Sequence, residues 1–358
     1  MQMDYLILAI NPGSTSTKVA VYYNSKLVKE QTLRHDVEEL KVFKSIIDQA
    51  DFRRNVIIDF IKEHDYELKD FDVFVGRGGM MKPLKNGGTY LVNKEMLRDL
   101  RSGEYGYHAS NLGAILADGF AKEFNRPAYI VNPVCIDEFE DISRISGQKL
   151  IERRSVFHAL NQKAIAMQFA KDIKKEYKDL NLIVTHLGGG ISVGLHKKGR
   201  VIDCNNALGG DGPFSPERTG TIPTYPLVDL CFSGEYTKEE VKKLLVGQGG
   251  LVSYLGTNDA RVVEERINAG DQEAKLHYDA MAYNVVKEIG SLYFAAKGEI
   301  DGILITGGIA YSDYFIKYLK DHINPIMPIK VYPGEDEMRS LAEGAMRVML
   351  KQEKSQVY

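Results

Sequence analysis

Residues 6–28 read LILAINPGSTSTKVAVYYNSKLV, and residues 182–202 read LIVTHLGGGISVGLHKKGRVI. In the first stretch an apolar run at 6–10 meets turn and hydroxyl residues at 11–18, and a β-rich run follows at 19–23. Asn24-Ser25-Lys26 then turns the chain into Leu27-Val28. The second stretch repeats strand, polar turn, strand, hairpin and strand in the same order, at low local identity. Two such openings predict an α/β protein of two related domains. Each would be a mixed sheet flanked by helices, with the turns of both meeting at a shared cleft.

Outward from these stretches the pattern is helical. Residues 43–62 place Ile46, Ile47, Ala50, Ile57, Ile58 and Ile61 at helical spacing, and residues 156–169 do so with Phe157, Leu160, Ala164, Met167 and Phe169. Residues 278–296 and 337–351 follow the same rule, and an apolar strand at 303–305 runs into Thr306-Gly307-Gly308. A chain of 358 residues suits two domains, and 44% hydrophobic with 27% charged residues is a globular balance. The net charge of −3 supplies no field for nucleic acid or an anionic membrane. No apolar run approaches the roughly 18 residues that span a bilayer. The N-terminus has no basic n-region or small-residue cleavage site and reads as a first strand. Cys135, Cys204 and Cys231 form no CxxC pair and read as buried free thiols, with a reducing cytoplasm as the expected location.

No GxxxxGK[ST], GxGxxG or HRD loop is present, so any phosphate site must use turns whose backbone N–H groups form an anion-binding concavity. Asn11–Lys18 fits, with Ser14, Thr15, Ser16 and Thr17 as hydroxyl donors and Lys18 as a point charge; a solvated hairpin is the competing reading. His186 leads into Gly188, Gly189 and Gly190, where three glycines in a row point to close backbone approach. A structural strand-end histidine is the alternative there. Residues 205–223 are long and irregular, and Arg218 sits among prolines and glycines that could aim a guanidinium or merely form a surface loop. Arg77, enclosed by Gly76, Gly78 and Gly79, suits bidentate binding of a carboxylate or phosphoryl group. Asp137-Glu138, after an apolar strand read at 131–136, offers hard oxygens for Mg²⁺ or a plain solvated turn. Thr306-Gly307-Gly308-Ile309-Ala310 would let the chain approach a flat ligand, or make a tight strand-to-helix turn.

In their order along the chain, INPGSTSTK, GRGG, FHALNQKA, HLGGGISVG, NNAL, GPFSPERTG, YLGTND and PGEDE resemble the motifs of the acetate and butyrate kinase family. The pattern is most similar to its butyrate-specific members. That family belongs to the sugar-kinase, Hsp70 and actin superfamily, so the resemblance implies two duplicated ribonuclease H-like domains of the actin-like ATPase fold. It implies ATP-dependent phosphorylation of a short-chain carboxylate, butyrate or a branched C4/C5 acid, to an acyl phosphate, with ATP/ADP and Mg²⁺. Carried over residue by residue, Asn11, Ser14, Ser16 and Lys18 would form the first phosphate turn, and Gly188, Gly189 and Gly190 the second. Arg77 and Arg218 would clamp the carboxylate and the transferring group, and His186 would bond to the phosphoryl oxygens. His158 matches a further active-site histidine, while Gly79, His108 and Phe157 would border the substrate. Asp137 and Glu337 would position Mg²⁺ directly or through water. Asn258, Asp259, Arg261, Gly307, Gly308 and Ile309 would hold the adenosine. Residues 1–153 would be an acyl and phosphate domain completed by a returning helix at 338–358, and residues 154–337 the nucleotide domain. A homo-oligomer, dimer or higher, in the cytoplasm is implied as well.

Phosphoryl transfer asks for positioning and charge stabilisation, and a carboxylate is a nucleophile without a strong base. The chain departs from acetate kinases in Gly78-Gly79 after the arginine and in FHALNQ where those enzymes have a second histidine. Small residues there would leave room for further methylenes, each worth about 0.8 kcal/mol when buried. Acetate or propionate is the alternative acceptor. A sugar kinase would need an aspartate base for a neutral hydroxyl, and an actin-like or Hsp70-like switch would add partner-binding insertions.

Overall fold

In the computed structural model, which describes residues 4–358, the first quoted stretch forms three antiparallel strands. These are β1 (Leu6–Pro12), β2 (Ser16–Tyr23) and β3 (Lys26–Arg34). Asn24 closes the β2–β3 turn in the left-handed region, at φ 55, which asparagine tolerates. β4 (Val73–Arg77) lies parallel to β1 on its other edge, and β5 (Thr89–Leu91) and β6 (Ala128–Val131) complete the order β3-β2-β1-β4-β6-β5. Ile7, Leu8, Ala9 and Ile10 of β1 and Val73, Phe74 and Val75 of β4 are all 0% exposed, as central strands covered on both faces must be. The helices Asn111–Glu123 and Glu337–Met349 both pack on β1, β4 and β6. This unit comprises Met1–Ile136 and Asp336–Tyr358.

The second unit, Asp137–Glu335, starts with an exposed hairpin, β7 (Ile145–Gln148) and β8 (Ile151–Glu152). The second quoted stretch then forms β9 (Asn181–Leu187), β10 (Ile191–Lys197) and β11 (Arg200–Cys204). β12 (Gly302–Gly307) pairs parallel with β9, and β13 (Ile329–Pro333) with β12, for the order β11-β10-β9-β12-β13. The long helix Gln272–Ala295 buries Tyr278, Met281, Val285 and Ile289 against this sheet. Both units therefore set a three-stranded antiparallel meander beside a parallel strand. The α/β class and the duplicated sheet expected from the two stretches are both present. Among the described residues no helix is long and apolar enough to cross a membrane.

Three local expectations differ from the fold. The helix read at 43–62 begins at Ala50, after a turn in which Ser45 N–H donates to the Asp48 carboxylate at 2.9 Å and Asp48 N–H returns to Ser45 Oγ. This reciprocal cap opens a 3-10 turn, Ile47–Gln49, that leads into the α-helix, so the helical stretch starts after Phe43. The strand read at 131–136 ends at Val131, because Asn132 turns to φ 40 and Pro133 has no N–H for a ladder. Asp137 thus stands well beyond a strand end. Cys135 and Cys204 are buried, but Cys231 is exposed, at the end of the helix Thr224–Cys231.

Candidate functional site

In the first unit the β1–β2 turn closes on a Gly13 N–H to Ser16 carbonyl bond of 2.8 Å, with Ser14 and Thr15 exposed at its tip. Its carbonyls are drawn inward. Arg53, 0% exposed, donates from Nη1 to Ser16 O at 2.7 Å and from Nη2 to Ser14 O at 3.0 Å. His35 N–H donates to Thr15 O at 2.9 Å. Arg53 is held by Gln49 and Thr17 and by no carboxylate, so a full charge lies buried under the turn. Burial pulls its pKa down to about 10. Burial, with that neighbouring cation second, lowers His35 to about 4. Neither residue was expected in a site. The available signal was Arg53 itself, on the apolar stripe that it shares with Ile57, Phe60 and Ile61. Lys18, expected to face phosphate, reaches across to β3 and pairs with Glu30 at 2.8 Å.

Beside this turn, at the carboxyl ends of β1 and β4, Asn11 and Arg77 converge on Glu337. The Glu337 Oε2 accepts from Asn11 Nδ2 at 2.7 Å and from Arg77 Nη1 at 2.7 Å. Arg77 Nε and Nη2 make no bond among the described residues, and its side chain is 32% exposed. Gly79 is not an open space. A Cβ there would fall 2.5 Å from Asn111 Cα and 2.6 Å from its N, and at Gly78 one would fall 2.4 Å from Pro133 Cβ. The two glycines permit close packing, which overturns the idea that they leave room for methylenes. Asn111 also accepts from Met80 N–H and donates to the carbonyls of Leu100 and Gly106, tying the arginine loop to the segment that carries His108. His108 is exposed, its Nδ1 accepting from Ser110 N–H at 3.2 Å.

In the second unit the β9–β10 turn is Gly188-Gly189-Gly190. A Cβ on Gly190 would lie 1.8 Å from Arg218 Nη1, so the guanidinium lies directly on that glycine. Arg218 ends a tight turn in which Ser215 N–H bonds its carbonyl at 3.0 Å, and Ser215 Oγ donates to Gly189 O at 2.7 Å. Arg218 Nη1 is spent on the Ala207 carbonyl, while its Nε is buried with no partner among the described residues. Burial lowers its pKa, with Glu217 opposing. A buried guanidinium N–H without an acceptor is costly unless a ligand supplies one.

His186, 1% exposed near the end of β9, bonds through Nδ1 to Asn161 at 2.8 Å, and its Nε2 is 3.2 Å from Glu335. The His158 ring stacks on it, with centroids 3.8 Å apart. Phe157, expected at the substrate, is 2% exposed. Gly307 ends β12 in the same sheet, with Gly308 and Ile309 in the 3-10 turn that follows, and Gly307 at φ 93 packs on Leu187 of β9. Asn258 donates to Glu217, and Asp259 caps the helix Ala260–Asn268. Asp259 also holds Arg261, which lowers its pKa to about 2. Asp137 is engaged by Arg144 Nη1 at 2.7 Å, and Glu138 forms a buried pair with Lys163 at 2.8 Å.

Among the described residues no group of three or more His, Cys, Asp or Glu could hold a metal. Mg²⁺ seldom needs such a cage, since one or two carboxylates with water and phosphate oxygens suffice. Glu337 and Asp137 are each hard-oxygen donors of that kind, and each already carries an arginine.

This duplicated topology is the actin-like ATPase fold. An acetate kinase from Porphyromonas gingivalis superposes with a TM-score of 0.76 at 16% identity, covering 96% of this chain and 100% of that one. A propionate kinase from Francisella tularensis gives 0.74 at 18%, covering 95% and 98%. A ROK-family protein from Streptococcus pneumoniae, solved with sucrose, gives 0.52 at 12%, covering 97% and 100%. These likenesses speak for the fold. The family follows from the sequence model of the acetokinase family, which matches residues 141–357, more than half of the chain. The chain belongs to the acetokinase family, kinases that phosphorylate a carboxylate with ATP.

Proposed function

We propose that the protein transfers the γ-phosphoryl group of ATP directly to a short-chain acid of four or five carbons, giving an acyl phosphate and ADP in a reversible reaction. A carboxylate oxygen attacks the γ-phosphorus, the bond to the β–γ bridging oxygen breaks, and ADP leaves with that electron pair. No proton needs to be abstracted from the acceptor.

The observation that carries this reading is the pair of arginines with donors to spare, Arg77 at the end of β4 and Arg218 on the Gly190 turn. A neutral acceptor would have no use for two. In this reading Arg77 and Asn11 hold the carboxylate, while Arg218, His158 and His186 take the transferring group. The first unit serves acyl and phosphate binding through Ser14 and Ser16. The second holds nucleotide through Gly188, Gly189, Gly190, Asn258, Asp259, Arg261, Gly307, Gly308 and Ile309. Mg²⁺, bound with the nucleotide phosphates and held by Glu337 and Asp137 directly or through water, would offset phosphate charge. Because Gly78 and Gly79 are filled by neighbours, the preference for butyrate or a branched acid rests on the quoted motifs alone. Acetate or propionate is the alternative acceptor. Activity as a cytoplasmic homo-oligomer completes the proposal.

Trapping acyl phosphate with hydroxylamine tests it, with ATP, Mg²⁺ and acetate, propionate, butyrate, isobutyrate, valerate or glycerol, and ADP followed in parallel. Hydroxamate highest with butyrate or isobutyrate supports the whole reading. Highest yield with acetate retains the chemistry and removes the chain-length preference. ADP release with no hydroxamate removes the carboxylate acceptor.

A further inference from the structure

Beneath His158 lies a run of hydrogen bonds whose direction follows from atoms that can only accept or only donate. Gln162, 0% exposed, places its side-chain nitrogen 3.0 Å from the Ser192 backbone carbonyl, an obligate acceptor, so the orientation of the amide is settled. Its oxygen therefore faces His196 Nε2 at 3.0 Å, and that nitrogen must carry hydrogen. His196 is 0% exposed, and burial, reinforced by the Lys163 charge, holds its pKa well below the ordinary value. It is neutral, so its bare Nδ1 accepts from Tyr177 OH at 2.7 Å. Burial likewise keeps the proton on Tyr177.

At the other end the second amide hydrogen of Gln162 goes to Ser192 Oγ at 2.8 Å, and the His158 backbone N–H reaches the same oxygen at 3.4 Å. Both lone pairs of the hydroxyl are then engaged. Its own hydrogen points to His158 Nδ1, 2.8 Å away. The hydrogen of the imidazole must sit on Nε2. An imidazolium would require Ser192 Oγ to accept a third bond while its hydrogen faced another.

We propose that Tyr177, His196, Gln162 and Ser192 are positioning residues that hold His158 as a neutral imidazole with its hydrogen on Nε2, a donor for the transferring phosphoryl group. The proposal rests on the kinase reading above only for that last clause. The stacked partner is set the other way. Thr306 Oγ1 donates to the Gly334 carbonyl at 3.0 Å and so accepts from Asn161 Nδ2, which leaves Asn161 Oδ1 to accept from His186 Nδ1–H. Two parallel rings thus carry opposite assignments at Nδ1. Gln162 occupies the place where the acetate-kinase motif has its second histidine, so the relay is built on the very departure seen in the sequence.

The test is ¹⁵N NMR of the histidine-labelled full chain at neutral pH, with His158 assigned from H158Q, together with kinetics of Q162E. The wild type is expected to show His158 with a bare Nδ1 and His186 with a protonated one. In Q162E, nearly the same size, the new side-chain oxygen must carry a proton to donate to the Ser192 carbonyl and accepts the Ser192 hydroxyl hydrogen, so that Oγ then accepts from His158 Nδ1. The tautomer inverts, and kcat should fall about hundredfold, the scale of one lost phosphoryl-directed donor, with KM for both substrates nearly unchanged. Hydrogen on His158 Nδ1 in the wild type overturns the relay, as does a Q162E enzyme with an inverted tautomer and undiminished kcat. Should Q162E not fold, the wild-type spectrum still decides, and S192A, which deletes the donor to Nδ1, should lower kcat about tenfold. A wild type with no carboxylate kinase activity would sink the function proposed above and leave the tautomer measurement standing.

Discussion

The β1–β2 and β9–β10 turns occupy the same place in two sheets of the same topology, yet they are built from opposite materials. The first is made of hydroxyl residues and has its charge underneath, where Arg53 gathers the carbonyls of Ser14 and Ser16. The second is made of glycine and has its charge on top, where Arg218 lies on Gly190. In the first turn the cation orients the backbone; in the second the backbone seats the cation. In each turn the cation comes from outside the repeated stretch. Arg53 stands on the helix Ala50–Glu63, and Arg218 on an irregular loop. A duplicated fold can keep its strand order while its chemistry diverges, because topology needs only apolar strands and turns.

Four measurements would break or sharpen this contrast. Arg218→Ala is expected to lower kcat/KM about thousandfold in the hydroxamate assay, whereas Lys18→Ala, whose ammonium already rests on Glu30, should cost less than about tenfold. Equal losses would mean that Lys18 leaves Glu30 for the ligand. Gly79→Val should destabilise by about 3 kcal/mol in denaturant melts without moving the butyrate-to-acetate ratio, since its Cβ meets the Asn111 backbone. Gly190→Ala meets only the tip of Arg218, so it should lose activity with little change in stability. A shifted acyl preference in Gly79→Val would restore the open-pocket idea.

Arg53→Met is expected to cost about 2 kcal/mol, because two turn carbonyls and Gln49 lose their donor. It should also weaken binding of phosphate-bearing ligands more than of the carboxylate. Unchanged stability would show that water replaces the guanidinium. The smallest effect concerns pH. His35 is held to about 4 in the fold against 6.5 when free, so its contribution is intact above pH 6.5 and drains as pH falls towards 4. His35→Asn should flatten the stability curve across that window, and a slope that persists would place the titration elsewhere.

Much of the placement of the candidate residues could be read in the residue string. Glycines and hydroxyl residues directly after apolar strands marked both turns, and the structure places His186, Gly190 and Arg218 in one cluster and Asn11, Arg77 and Glu337 in another. Other features were not legible. Asp137 looked like a strand-end ligand because the apolar run continues past Val131, while the ladder stops at Asn132-Pro133. Gly79 looked like space because a sequence does not show that Asn111 fills it.

By itself the sequence determined the class of fold, its duplication and the family, since periodicity, turn residues and ordered motifs are local properties of the chain. Only the tertiary structure decided which charges are buried, which are already paired and which way each proton points. Those depend on partners remote in sequence, as Asn11 and Glu337 are, 326 residues apart in the chain with nitrogen and oxygen hydrogen-bonded at 2.7 Å. The energy of a charge or a hydrogen bond is set by such neighbours and by exclusion of water, and neither is written beside the residue that feels it.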